Sequence, residues 1–123
     1  MDGGKYRFAS LADAVAALHA TPEPMLLTRF EPVAAERVVI AVNAAAATDR
    51  ASPAPGEHPD ARRDRDVTAD VEIDYLYRQL IERGHARQVL SIGGRLRELT
   101  VNRVYIEGDD AVYGFVSPRS REP

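Results

Sequence analysis

The sequence predicts an α+β fold in which two helices pack on one face of a mostly antiparallel sheet of five or six strands. Three observations favour this class. Residues 10–20 and 68–83 carry apolar side chains at helical spacing. Residues 36–43 are rich in β-branched side chains, and residues 88–116 have the pattern of three strands joined by glycine-containing turns.

The first helix begins at a serine and ends before two prolines. Ser10 is suited to cap it, because a serine hydroxyl can accept a hydrogen bond from a free backbone N–H of the first turn. Its apolar stripe consists of Leu11, Ala14, Val15 and Leu18. The helix should end near residue 20, since Pro22 and Pro24 follow.

Three strands are predicted in the first half of the chain, at residues 5–8, 25–30 and 36–43. The last of them reads ERVVIAVN and is almost continuously apolar. A strand without alternation is typical of burial on both faces of a sheet. We therefore expect this strand to lie inside the fold.

Residues 44–67 differ in composition from the rest of the chain. They contain three prolines, one glycine and many charges, without apolar periodicity. Such a segment buries too little surface to offset its loss of conformational entropy. We expect a flexible or disordered loop within a single domain of residues 1–123, a length that suffices for one compact domain.

The second helix has the strongest periodicity. Thr68 is suited to cap its start, and Gly84 is suited to end it. The apolar positions are Ile73, Leu76, Tyr77, Leu80 and Ile81. Together with the first helix, this segment suggests two α-β-β units that share one sheet.

The C-terminal part predicts a strand–turn–strand–turn–strand meander. Strands are expected at residues 88–92, 95–106 and 111–116, with turns at Gly93-Gly94 and at residues 107–110. In the long middle strand, the apolar alternation of Leu99 and Val101 changes parity at Val104 and Ile106. A bulge near Asn102 is the interpretation we draw from that change.

Several functional classes have no support in the sequence. The chain has no cysteine, which excludes disulfides, thiolate metal sites and a cysteine nucleophile. Residues 1–9 contain no apolar segment of the kind found in signal peptides, and no apolar run approaches the roughly 18 residues of a membrane span. We expect a cytoplasmic protein that is not bound to a membrane.

Catalytic and metal-binding motifs are not recognisable. The phosphate loop, the GxSxG elbow and the HExxH pattern are absent from the sequence. His19, His58 and His85 are far apart in the sequence, and Asp109-Asp110 has the composition of a turn. We therefore predict a protein that is not an enzyme and has neither a metal site nor a cofactor.

Arginines and tyrosines of the meander are the candidate ligand-binding residues. The chain has a net charge of −3, but the part from residue 83 onward holds seven arginines against five acids. Guanidinium groups and aromatic rings on one sheet face suit phosphate contact and base stacking, although an ordinary sheet uses the same residues for cross-strand packing. The candidates are Arg95, Arg97, Arg103, Tyr105 and Tyr113. They predict a binding or regulatory module whose sheet face takes a nucleic acid or a small anionic ligand.

The last third of the chain resembles the WYL domain, a small SH3- or Sm-like β-barrel of bacterial transcription regulators. The similarity lies in Arg83-Gly84, Gly94-Arg95, Thr100-Val101 and the run Val112-Tyr113-Gly114-Phe115. The chain departs from the family at the Trp-Tyr-Leu triplet, where Ala111-Val112-Tyr113 stands instead. The resemblance implies ligand or nucleic-acid sensing by the sheet face, with Arg95, Arg97, Arg103 and Tyr113 as its residues.

An alternative function is a protein–protein interaction domain that forms a homodimer. Its interface would be either an edge strand or the alanine-rich segment RVVIAVNAAAA, residues 37–47. Exposed apolar strand edges are ready sites for pairing with another chain. The sequence leaves both functions open.

Overall fold

The computed structural model of the chain describes residues 6–33, 36–49, 53–59, 69–92 and 94–120, and it describes the backbone alone at residues 69–74, 90, 92, 95, 119 and 120. The elements are β1 Arg7–Phe8, α1 Leu11–His19, β2 Leu26–Phe30, β3 Val38–Val42, α2 Ala44–Ala47, α3 Ala69–Arg83, β4 His85–Ile92, β5 Arg95–Ile106 and β6 Asp109–Ser120. The α+β class predicted from the sequence is confirmed.

The sheet has six strands, and its order is β1-β5-β6-β2-β3, with β4 also paired to β5. β4 runs antiparallel along Arg95–Asn102 of β5, whereas β1 lies parallel to β5 at Tyr105 and Ile106. The other pairings are antiparallel. The long strand β5 therefore has β6 on one side and shares its other side between β4 and β1.

The helices cover opposite faces of the sheet, and the expectation that both pack on one face is wrong. Leu26 packs in one core cluster with Leu76 and Leu80 of α3. The next residue, Leu27, packs in a second cluster with Ala14 and Leu18 of α1. Since successive strand residues point to opposite faces, α3 covers what we call the inner face and α1 covers the outer face.

The physical reason lies in the central strand β6. Its segment from Val112 to Val116 is buried throughout. Val112 and Val116 belong to the inner cluster, whereas Tyr113 and Phe115 belong to the outer cluster. A strand that is apolar on both faces needs cover on both. Both predicted α-β-β units, α1-β2-β3 and α3-β4-β5, are present, but each contributes its helix to a different face.

Gly114 allows close packing at the centre of β6. A Cβ at this position would lie 2.8 Å from Cγ1 of Val101 and 3.0 Å from Cε2 of Phe30. Real Cβ atoms essentially never approach another heavy atom at the shorter of these distances. The absence of a side chain at Gly114 therefore allows the side chains of Val101 and Phe30 to pack close to the β6 backbone.

The bulge predicted near Asn102 is wrong. The register between β5 and β6 is unbroken from Arg97 to Val104, and its irregularity lies between Val104 and Ile106. Leu99 and Val101 pack on the inner face, whereas Val104 and Ile106 pack on the outer face. The apolar parity changes because the first half of β5 lies under the inner helices and its second half lies over α1.

The segment predicted to be a flexible loop, residues 44–67, begins with a short helix. Residues 44–47 form a helical turn, α2, because Asn43 caps a run of four alanines, the residue with the highest helix propensity. The backbone of Val39 in β3 pairs with the later part of the segment: its N–H donates to the carbonyl of Glu57 (2.9 Å), and its carbonyl accepts from Gly56 (2.7 Å). Residues 50–52 and 60–68 lie outside the described part of the chain.

The predicted ends of the helices are confirmed where the structure describes them. The Ser10 hydroxyl accepts a hydrogen bond from the backbone N–H of Asp13 (3.2 Å) at the start of α1. Gly84 has a φ of 77° directly after α3, as expected for a glycine that ends a helix. The cap predicted at Thr68 lies outside the described residues.

The buried amide of Asn43 joins four segments of the fold. Asn43 is 1% exposed. Its Oδ1 accepts from the backbone N–H of Met25 (3.1 Å) and of Ala46 (3.0 Å). Its Nδ2 donates to the carbonyls of Thr21 (3.1 Å) and Glu23 (2.6 Å). The amide therefore connects the loop after α1, the start of β2, the end of β3 and the start of α2.

We predict that Asn43→Ala lowers the free energy of unfolding by about 3 kcal/mol or more, because it leaves several buried backbone groups without partners. Asn43→Asp should be comparably destabilising, since a carboxylate keeps the acceptor but faces the two carbonyls with no donor. Urea unfolding followed by circular dichroism measures both. Thr48→Ala, which removes an exposed hydroxyl bonded to the carbonyl of Ala45, is the control. A loss below about 1 kcal/mol for Asn43→Ala would contradict this role.

Candidate functional site

The candidate binding residues do not share one surface. Three of the candidates lie at odd positions of β5, as do the inner-face residues Leu99 and Val101. Their side chains therefore project from the inner face. These three are Arg97, Arg103 and Tyr105. Tyr113 packs in the outer cluster instead. The side chain of the fifth candidate, residue 95, lies outside the described part of the structure. The structure thus separates Tyr113 from the other three.

Arg97 is held by a carboxylate of the segment after α2. Its Nη1 lies 2.6 Å from Oδ2 of Asp49, and its Nη2 lies 3.5 Å from Oδ1. The two side chains are 18% and 26% exposed. A two-point contact of this kind fixes the guanidinium plane and neutralises its charge. Arg97 therefore fastens α2 to β5 and is not a free cation on the sheet face.

Two polar atoms near this ion pair are buried without a hydrogen-bond partner. They are Nε of Arg97 and Oε1 of Gln88. Gln88 lies on β4 directly opposite Leu99, so it shares the inner face with Arg97. Because Arg97 lies two positions before Leu99 on β5, the two side chains are diagonal neighbours. We call Gln88 and Arg97 the inner polar pair: it presents one donor and one acceptor to a face that is otherwise mostly apolar.

A second arrangement of charged groups surrounds Tyr105. The guanidinium carbon of Arg103 lies 4.7 Å from the centroid of the Tyr105 ring, and that of Arg7 lies 5.0 Å from the same centroid. Arg103 precedes Tyr105 by two positions on β5, and Arg7 is its register partner on β1. The sequence pattern indicates Arg103 and Tyr105 but not Arg7, since nothing local to residue 7 indicates a parallel pairing with residue 105.

Tyr113 is engaged at the turn between β5 and β6. Its hydroxyl donates to Oδ2 of Asp109 (2.8 Å), and Oδ1 of the same carboxylate accepts from the backbone N–H of Ala111 (2.9 Å). Burial raises the pKa of Tyr113, and the hydrogen bond to the Asp109 carboxylate adds to the shift. The hydrogen bond from Ala111, assisted by the one from Tyr113, lowers the pKa of Asp109. This contact links the tyrosine to the first residue of β6.

The histidines are separated in the structure as they are in the sequence. His19 ends α1, His58 lies in the segment beside β3, and His85 begins β4. Across the residues that the structure describes, no group of three or more histidine, aspartate or glutamate side chains is arranged to hold a metal ion. Within the same part of the chain, no helix has both the length and the apolar character needed to cross a membrane.

Comparison with known proteins identifies the fold. No protein-family model and no curated protein matches the chain, so the resemblance to the WYL domain stays a prediction. A solved structure of the PAS domain of a protein from Colwellia psychrerythraea is similar, with a TM-score of 0.61 and 14% sequence identity. The similarity covers 89% of this chain and 95% of that one. At this identity it shows a PAS-like fold alone.

We predict that Asp109→Asn lowers the pKa of Tyr113 toward its ordinary value of 10.0, since the substitution removes a negative charge beside the hydroxyl. Burial should keep this pKa above that value in the variant. The ¹³Cζ chemical shift of Tyr113, followed against pH, measures the change. Asp110→Asn is the matched control, and an equal shift in both variants would contradict the contact.

The hydrogen bonds of the Asp109 carboxylate also determine how the stability of wild type compares with that of Asp109→Asn as the pH changes. Because the pKa of Asp109 is lowered in the folded chain, its contribution to stability is present above the ordinary value of 3.8 and is lost as the pH falls through the folded-state pKa. Wild type should therefore exceed Asp109→Asn in stability at neutral pH, and the difference should shrink on acidification. Unfolding measured at several pH values reports this trend.

Proposed function

We propose that this chain is a non-enzymatic regulatory module that binds a small polar ligand between α3 and the inner face of the sheet. The PAS-like fold supports a regulatory role, because domains of this fold usually serve as signalling modules. The sequence contains no recognisable catalytic motif that would favour an enzyme. The inner polar pair is the observation that carries the proposal.

A buried polar atom without a partner costs stability, and a ligand, an ion or an ordered water can supply the missing hydrogen bond. Gln88 Oε1 and Arg97 Nε are both buried and both unpaired, on neighbouring strands of a covered face. One is an acceptor and the other a donor. A ligand that offers an acceptor to Arg97 and a donor to Gln88 would satisfy both.

The ligand chemistry follows from the charge of this region. Arg97 and Asp49 together carry no net charge, so a strongly anionic ligand would compete with Asp49 for the guanidinium. Small hydroxy acids, amino acids and amides fit better, since each combines an acceptor with a donor. A nucleic acid is less favoured here, because α2 and α3 cover this face and the whole chain carries a net charge of −3.

We predict that Gln88→Leu and Arg97→Lys each weaken ligand binding by about tenfold, the effect expected for loss of one buried hydrogen bond. Arg97→Lys keeps the positive charge beside Asp49 but removes the Nε donor. The probes are a panel of small hydroxy acids, amino acids and amides, with binding detected by saturation-transfer NMR on the full chain. Gln88→Leu should leave the stability of the ligand-free protein unchanged or raised, because it removes an unpaired polar atom.

Arg87→Lys is the control, since Arg87 is exposed and pairs with Glu98 on the outer side of the same two strands (2.9 Å). Binding that is equal in wild type and in both inner variants would overturn the proposal. A panel without any binder would overturn it as well. In that case the inner polar pair would be an internal feature of the core, bridged by solvent.

Homodimer formation is the second candidate function, and the structure favours a different surface from the one predicted. Val39, in the predicted interface segment, already pairs through its backbone with Gly56 and Glu57. On the outer face, Val89 and Leu96 are 42% and 52% exposed on adjacent strands. Neighbouring exposed apolar side chains on a sheet are suited to association.

We predict that Leu96→Glu shifts any dimer toward the monomer, because a carboxylate would be desolvated in an apolar interface. Light scattering coupled to size-exclusion chromatography, over a range of concentrations, measures the mass. Ile81→Glu on α3, at a comparably exposed position, is the control. A wild-type protein that stays monomeric at the highest concentration would exclude this function.

A further inference from the structure

Two arginines from distant parts of the chain converge on one tyrosine. Arg7 arrives on β1 and Arg103 on β5, and both guanidinium carbons lie within 5.0 Å of the Tyr105 ring centroid. The parallel register that pairs Arg7 with Tyr105 is fixed by two backbone hydrogen bonds, from Tyr105 to Tyr6 (2.8 Å) and from Glu107 to Phe8 (2.9 Å). The backbone thus holds two cations beside one ring.

Neither guanidinium is paired with a carboxylate of the described residues. The ion pairs there join Arg29 to Glu31, Arg87 to Glu98 and Arg97 to Asp49. Arg103 also has a buried Nε that donates to no acceptor. Two like charges near one ring repel each other. A cation–π contact contributes about 0.5–1 kcal/mol for an exposed cation such as Arg7, and about 2 kcal/mol or more where the cation is desolvated. The arrangement therefore lacks an anion that would balance it.

The cluster lies beside the end of α3, but stabilisation of that helix end does not explain why two arginines contact Tyr105. The backbone N–H of Arg103 donates to the carbonyl of Gly84 (2.8 Å), and the Tyr105 hydroxyl lies close to Gly84. The cluster is therefore at the C-terminal end of α3, where the helix dipole favours a cation. Arg83, in the last turn of α3, already meets that requirement. Arg103 and Arg7 add charges from two strands, and the helix end requires neither of them.

We propose that Arg7, Arg103 and the Tyr105 ring form a binding site for the phosphate group of a small phosphate compound. A phosphate monoester carries about −1.5 to −2 charges at pH 7, which balances two guanidinium groups. Each guanidinium presents a planar fork of N–H donors that fits phosphate oxygens. A carboxylate, with a single charge, would balance only one of the two arginines.

The surroundings favour a single phosphate group over a polyanion. Glu82 and Glu107 are exposed carboxylates that lie two residues from Gly84 and from Tyr105 in the sequence. The chain as a whole carries a net charge of −3. A long nucleic acid that followed the surface away from the arginines would meet these carboxylates.

This site is separate from the inner polar pair. Arg103 lies six residues beyond Arg97 on β5, a separation of about 20 Å along an extended strand. The two proposals therefore rest on different side chains. If no ligand binds at Gln88, the proposed phosphate site is unaffected. If phosphate does not bind at Arg7 and Arg103, the proposed inner ligand is unaffected.

The test is an NMR titration of the full chain, labelled with ¹⁵N, with inorganic phosphate at constant ionic strength. We expect saturable shifts of the Arg103 Nε–H resonance and of the Arg103 and Tyr105 backbone amides. Arg7→Gln and Arg103→Gln should each raise the dissociation constant about tenfold. Arg87→Gln, which removes an arginine from the outer side of the sheet, should leave it unchanged.

Parallel titrations identify the anion. Adenosine monophosphate should bind at least as well as inorganic phosphate, and acetate should bind more weakly. Acetate that binds as tightly as phosphate would overturn the assignment to phosphate. A single-stranded oligonucleotide that binds far more tightly, with a steep salt dependence, would overturn the assignment to a small ligand.

The Arg7→Gln variant keeps the proposal testable even if Arg103→Gln unfolds the chain, because Arg7 is exposed. Shifts that do not saturate, or an affinity for phosphate that Arg7→Gln leaves unchanged, would overturn the proposal. If Arg103→Gln then lowers only the melting temperature, the cluster is a structural cap on α3.

Discussion

The buried carboxamide of Asn43 is the interaction on which the arrangement of the two helical layers depends. Its oxygen and nitrogen together satisfy backbone groups in the loop after α1, at Met25 just before β2 and in α2. A carboxamide suits this position because it carries two donors and an acceptor in one plane. Through it the outer helix α1 and the inner turn α2 are tied to the same end of the β2–β3 hairpin. Asp49, which holds Arg97, lies two residues beyond α2 and so depends on the same tie.

Element types follow from local patterns, and those were predictable. The apolar period of α3, the cap at Ser10 and the glycine turns of the meander act over a few residues and need no tertiary information. The side of the sheet that each helix covers was not predictable in the same way. Both helices have one apolar stripe, and the continuous burial of Val112–Val116 becomes evident only in the folded sheet.

The candidate site was predictable in composition and not in arrangement. Arg97, Arg103, Tyr105 and Tyr113 were chosen because arginine and tyrosine suit anion binding, but strand parity separates Tyr113 from the others. The partner of Arg97 is 48 residues away in sequence, and Arg7 reaches Tyr105 through a parallel pairing of even greater separation. Pairings of this kind depend on the closed fold, which a local pattern does not encode.

The two faces of the sheet differ in whether their buried polar atoms have hydrogen-bond partners. This difference supports the proposal of a ligand on the inner side. The outer cluster around Leu18, Leu27 and Val104 is completed by α1. On the inner side, Thr28, Gln88, Arg97 and Arg103 each bury a polar atom without a hydrogen-bond partner, at the described positions. A buried polar atom that no partner reaches costs about 1–3 kcal/mol. At the described positions, these unpaired polar atoms lie on the side of the sheet for which the inner ligand is proposed.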